Sequence, residues 1–132
     1  MTPVFADAFY FLALLNKSDK AHARALQFEA AGVPLVTTAW VLTEIGDAFC
    51  GVENRNLFLK LLHTLYNFPD AKIIPASEEL FERGVELFRQ RPDKDWPLTD
   101  CISFVAMKDV GITEALTGDR HFEQAGFRTL LK

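Results

Sequence analysis

The chain has 132 residues, enough for one domain with a real core and too few for two. Its apolar fraction of 49%, with 12 phenylalanines, argues against disorder, and no apolar run approaches the ~20 residues that span a bilayer. A net charge of −4, from 14 Lys+Arg against 18 Asp+Glu, speaks mildly against a nucleic-acid partner, an argument that lapses if several of the acids bind metal. The start Met1-Thr2-Pro3-Val4 has no basic stretch, and Asp7 interrupts the first apolar run, so a signal peptide is not expected. Cys50 and Cys101 lie in apolar helical patterns and read as reduced, buried small hydrophobes, which points to the cytoplasm.

Strand and helix patterns alternate along the chain. Val4-Phe5-Ala6 is the first strand and ends at Asp7; Ala8 to Leu15 is a short apolar helix. Ser18 or Asp19 is positioned to cap a helix that runs to about Ala31, and Gly32 ends it. Leu35-Val36-Thr37 is the second strand, and Thr38 caps a helix from Ala39 to about Phe49. An amphipathic helix from about Arg55 to Tyr66 carries Leu57, Leu61, Leu62 and Leu65 on one face. Lys72-Ile73-Ile74 is the third strand, stopped by Pro75, and Ser77 caps a helix to about Gln90 with Glu78 and Glu79 in its first turn. After a charged loop from Arg91 to Pro97, Thr99 caps a helix from Asp100 to Val110, closed by Gly111. Ala115-Leu116-Thr117 is the fourth strand, His121 to Ala125 a helical turn, and Arg128 to Leu131 a last strand. The alternation predicts a single α/β domain over residues 1–132, a three-layer α/β/α sandwich around a short, mostly parallel sheet.

On that skeleton, Asp7 ends the first strand and Asp119 follows the fourth across Gly118. Both belong at the carboxyl edge of the sheet, where open α/β folds hold ligands. Asp100 starts a helix beside that edge. Glu44 lies six residues past the Thr38 cap, ~9 Å along the helix axis, among the apolar neighbours Trp40, Val41, Leu42 and Ile45. Gathered acids repel one another unless a cation lies between them, and burying a lone carboxylate costs several kcal/mol. Mg²⁺ or Mn²⁺ suits an all-oxygen set, with one or two ions activating water for an in-line phosphoryl displacement.

These residues resemble the PIN domain, in particular the VapC-like toxin ribonucleases of toxin–antitoxin pairs. The resemblance spans nearly the whole chain. It rests on the strand–Asp start at Val4 to Asp7, the segment Lys20-Ala21-His22-Ala23-Arg24-Ala25, Thr37 to Glu44, Leu98-Thr99-Asp100-Cys101, and Leu116-Thr117-Gly118-Asp119-Arg120-His121-Phe122 with Gly126-Phe127 behind it. It implies that Asp7, Glu44, Asp100 and Asp119 are catalytic carboxylates that ligate Mg²⁺ or Mn²⁺, with Thr99 supporting a ligand carboxylate or a water. It further implies an endoribonuclease that cuts RNA by attack of a metal-activated water, leaving 5′-phosphate and 3′-hydroxyl ends. The expected partners are an RNA substrate, a small cognate antitoxin seated on an apolar groove with a basic side chain in the acidic site, and a second copy in a homodimer, with no membrane.

Each acid also has a plainer role open to it. Asp7 suits a helix N-cap, Asp100 a helix dipole and Asp119 a turn. Arg120, Lys20 and Arg24 are candidates for phosphate contacts and equally for solvated surface. His22, His63 and His121 show no metal-ligand spacing and read as structural, and Asp95 as peripheral. Phe9, Phe11, Phe81, Phe88 and Phe104 read as core. The alternative function is a PIN-like scaffold that binds RNA or protein without turnover. A receiver-like phosphoacceptor would need an acid after the third strand, where Pro75-Ala76 stands.

Overall fold

A computed structural model describes residues 1–132. Its five strands are β1 (Val4–Ala6), β2 (Leu35–Thr38), β3 (Ala71–Ile74), β4 (Glu114–Leu116) and β5 (Arg128–Thr129). They form one sheet in the order β3-β2-β1-β4-β5, and every pair is parallel. The chain builds outward from β1 through β2 to β3, then returns to the other side of β1 for β4 and β5. The direction reverses between β1 and β4, and the carboxyl ends of those strands flank the crevice where parallel sheets bind ligands.

The helices are α1 (Ala8–Leu15), α2 (His22–Ala30), α3 (Ala39–Ala48), α4 (Arg55–Asn67), α5 (Glu78–Gln90), α6 (Leu98–Asp109) and α7 (Arg120–Gln124). With the right-handed crossovers that parallel strands almost always take, this strand order puts α1 to α4 on one face and α5 to α7 on the other, in keeping with the expected three layers. The packed pairs agree: α1 meets α2 and α3, α5 meets α6, and α6 meets α7, while α3 also touches α6. α5 and α6 approach closely at Gly84 of α5, where a Cβ would stand 2.3 Å from Ile102 Cγ1 of α6. Gly111, at φ 71°, takes the left-handed conformation that ends α6. No helix is long and apolar enough to cross a membrane.

The core that positions the site is aromatic. Phe104 of α6 lies edge-on to Trp96 at 5.1 Å and to Phe122 of α7 at 4.9 Å, with Phe127 at 5.6 Å. Each such pair adds about 0.5–1.5 kcal/mol beyond its buried area. Together they lock α6, α7 and the turn into β5 against the sheet.

Several expectations are corrected. α2 starts at His22 with Ala21 as its N-cap, because Asp19 spends its carboxylate on the Ala21 N–H (2.8 Å) in the preceding turn. α6 starts at Leu98 with Pro97 at its N-cap, so Thr99 sits inside the first turn and is not the cap. Pro97 has no N–H to leave unsatisfied there. Cys50 is exposed, as it follows α3 into a surface turn; Cys101 is buried as expected. Phe81 and Phe88 are 42% and 52% exposed rather than core, because the inward face of α5 is carried by Leu80, Gly84 and Leu87. Leu57 is likewise on the open side of α4, whose inward face is Phe58, Leu61, Leu62 and Leu65.

Candidate metal centre

Two acids reach the crevice from strand ends. β1 delivers Asp7 immediately after Ala6, and β4 delivers Asp119 after Thr117 and Gly118. Asp7 occupies the N-cap position of α1, yet its side chain makes no capping hydrogen bond. It accepts instead from the Thr117 hydroxyl at 3.0 Å. The same hydroxyl oxygen accepts from the Asp119 backbone N–H at 3.1 Å. Thr117 is fully buried, so one hydroxyl ties the acids of neighbouring strands together.

Asp119 caps α7: its Oδ1 accepts from the His121 N–H at 2.9 Å. The capped turn brings the His121 ring over the crevice. Its Nδ1 lies 3.1 Å from Asp100 Oδ2 and 3.2 Å from Asp119 Oδ1. Asp100, in the first turn of α6, is held there by the aromatic cluster around Phe104. Phe9 of α1 closes the crevice from another side. Its ring rests on Gly118, where a Cβ would stand 2.6 Å from Phe9 Cζ.

The four acids feel one another. Asp7 and Asp100 are only 5% and 6% exposed. Burial first, and then the Asp100 charge, raise Asp7 from 3.8 to about 7, while the Thr117 hydrogen bond opposes the shift. Burial, then Asp119 and Glu44, push Asp100 up to about 7 as well. Glu44 is raised by partial desolvation and then by Asp119. The expectation that Glu44 is embedded in a core-facing surface is corrected. Val41, Leu42 and Ile45 face inward, and the helical period leaves Glu44 on the open side of α3. Its carboxyl nevertheless lies within the field of Asp119, Asp100 and Asp7. No Lys or Arg forms an ion pair with any of the four. Clustered carboxylates, two of them buried, with no Lys or Arg partner and one histidine nitrogen beside them, form a donor set that a hard divalent cation fits.

A family model described as the PIN domain matches residues 4–128. The chain belongs to the PIN domain family. Solved structures share its fold. VapC20 of Mycobacterium tuberculosis, described as a toxin that cleaves the sarcin–ricin loop, superposes on this PIN domain with a TM-score of 0.84 at 22% identity, covering 94% of this chain and 95% of that one. VapBC2 of Rickettsia felis, solved with a DNA fragment from its promoter, superposes with a TM-score of 0.69 at 12% identity, covering 97% of each chain. No curated protein matches this PIN domain in sequence.

The remaining candidates of the PIN domain fall around this crevice in different ways. Thr99 is half-buried beside Asp100, but the hydroxyl that holds a site carboxylate is that of Thr117. Arg120 is exposed at the start of α7, next to Asp119. Lys20 and Arg24 line a concavity of about 600 Å³ with Phe9 and Lys132. Arg24 is partly committed to the fold, since its Nε donates to the Leu130 carbonyl at 2.7 Å and its guanidinium stacks 5.4 Å from the Phe28 ring. His22 and His63 stay structural: His22 Nδ1 pairs with the Ala13 carbonyl at 2.7 Å, and His63 is exposed beside Asn67. Sequence reasoning missed Thr117 and the reach of His121. The signal for Thr117 was local, a hydroxyl two residues before an acid that needs its N–H satisfied. For His121 it was the second position after an Asp cap, which turns the ring back toward the cap.

Proposed function

We propose that this PIN domain is a divalent-metal-dependent endoribonuclease and the toxin of a toxin–antitoxin pair. The observation that carries the reading is the gathering of acids at the β1–β4 crevice, where the Thr117 hydroxyl joins Asp7 to the Asp119 backbone, His121 lies against Asp100 and Asp119, and burial and neighbouring charge raise Asp7, Glu44 and Asp100 with no Lys or Arg paired to them. Those four carboxylates would hold Mg²⁺ or Mn²⁺. A cation bound there supplies a Lewis acid that makes water a nucleophile at neutral pH and offsets charge on a phosphoryl group in flight.

The protein's own residues do the rest. Asp7 and Asp100, raised to about 7, would have to give up their protons to hold a cation, so loading would depend on pH. Thr117 keeps Asp7 oriented, and Thr99 would hydrogen-bond a ligand carboxylate or a water. Arg120, Lys20 and Arg24 would contact backbone phosphates and set the register of the RNA. The cut would leave 5′-phosphate and 3′-hydroxyl ends. A small antitoxin would dock on the apolar concavity of about 580 Å³ lined by Leu42, Phe58, Leu62, Tyr66 and Ile73, with a basic side chain reaching the acids. A homodimer in the cytoplasm is the proposed setting.

The test is cleavage of structured RNAs, a sarcin–ricin-loop RNA among them, titrated with Mg²⁺ and Mn²⁺. Chelation and the variants Asp7→Asn and Asp100→Asn should each abolish cleavage in a protein that still folds. Metal-independent cleavage surviving in the variants would refute the mechanism. A folded protein that binds RNA and leaves it intact with either metal would instead be a scaffold.

A further inference from the structure

One nitrogen donor faces the carboxylates. His121 Nδ1, Asp100 Oδ2 and Asp119 Oδ1 converge at 3.1 and 3.2 Å, and one donor atom from each of these residues lies within 4.8 Å of the other two. The His121 side chain is 17% exposed. Its position is fixed twice: its own N–H is bonded to Asp119 Oδ1, and the next residue, Phe122, is fully buried in the aromatic cluster. With the ring proton on Nε2, the Nδ1 lone pair points at two carboxylate oxygens, and a cation held between the three donor atoms would satisfy all of them. With the proton on Nδ1, the ring is a hydrogen-bond donor that bridges the acids from outside. Octahedral ligand bonds of about 2.1 Å set neighbouring donors about 3 Å apart, which matches the separations seen here.

Resting on the metal-dependent reading above, we propose that His121 Nδ1 is itself a ligand of the centre and makes it select manganese-type ions over Mg²⁺. Magnesium takes oxygen donors, whereas imidazole strengthens binding of later divalent ions. The nitrogen therefore separates two metals that a purely carboxylate site would treat more alike.

Pulsed electron paramagnetic resonance on the Mn²⁺-loaded wild-type protein tests this without measuring activity. The expected result is the nitrogen modulation of a coordinated imidazole, changed in frequency when the histidines carry ¹⁵N and absent in His121→Gln. In that variant, Mn²⁺ affinity should fall roughly 10-fold or more while Mg²⁺ affinity stays within about twofold. Mn²⁺ bound by the wild-type protein with no nitrogen coupling overturns the inference and leaves the carboxylate centre standing. Equal losses for both ions in His121→Gln overturn the selectivity. A protein that binds no Mn²⁺ overturns both this inference and the metal-dependent reading. The labelled wild-type spectrum decides even if the variant fails to fold.

Discussion

The Thr117 hydroxyl donates to Asp7 Oδ2 at 3.0 Å across 110 residues of sequence, and the same oxygen receives the Asp119 N–H. This single side chain couples the carboxyl ends of β1 and β4. Thr117→Val keeps the shape and removes both bonds. Leaving the buried partners unsatisfied should cost about 1–3 kcal/mol in chemical denaturation. The Asp7 carboxyl should also rise further, since this bond holds it down, and metal should bind more weakly near pH 7. Thr117→Ser should restore both properties. A valine variant as stable as the parent would remove the coupling role.

Proton binding at the site should set how stability varies with pH. Asp7 and Asp100 stand at about 7 in the folded protein against an ordinary value of 3.8. The folded state therefore binds these protons more tightly than the unfolded state. Their contribution is fully present below about pH 4 and is lost as pH rises through about 7. With metal chelated, Tm should fall between pH 5 and pH 8 by more than the carboxylates elsewhere explain. Saturating Mn²⁺ at pH 8 should recover the loss by binding the folded state alone. A chelated Tm that stays flat over that range would show that these carboxyls titrate normally.

Neutralising one acid should trade function for stability. Asp7→Asn removes a buried charge from a group of like charges, so the chelated protein at pH 8 should be at least as stable as the parent. Cleavage with saturating Mg²⁺ should drop by about 100-fold or more. Calorimetry and single-turnover cleavage on the same preparation separate the two effects. A variant that loses activity and stability together would mean that Asp7 is structural.

Gly118 is needed for the space it leaves. A Cβ there would meet the Phe9 ring at 2.6 Å, so Gly118→Ala must displace Phe9 or shift the backbone that carries Asp119. The expected cost is about 1–3 kcal/mol of overpacking, with weaker metal binding. Phe9→Leu should partly rescue the alanine variant. A Gly118→Ala protein with unchanged metal affinity would indicate that Phe9 moves freely.

Much of the scaffold was legible before folding. The run Ala8–Leu15 and the strand–acid junctions at Asp7 and Asp119 are where the pattern put them, because short apolar runs stopped by polar residues mark strands and helices directly. Glu44 shows the limit of that reasoning. Apolar neighbours in sequence suggested burial, but a helix shows adjacent residues to different sides, and the carboxyl lies on the open flank. Phe81 and Phe88 fail for the same reason.

Residue type and local spacing were enough to set the order of strands and helices, the acids that end them and the family they spell. How the acids meet depends on contacts between residues far apart in the chain, which exist only once the sheet has formed. The reversal between β1 and β4 brings Asp7 beside Asp119, and the packing of Phe104 against Phe122 sets Asp100 against His121. Thr117 acquires its role at the same step, because a hydroxyl can bridge two strands only once the sheet has made them neighbours.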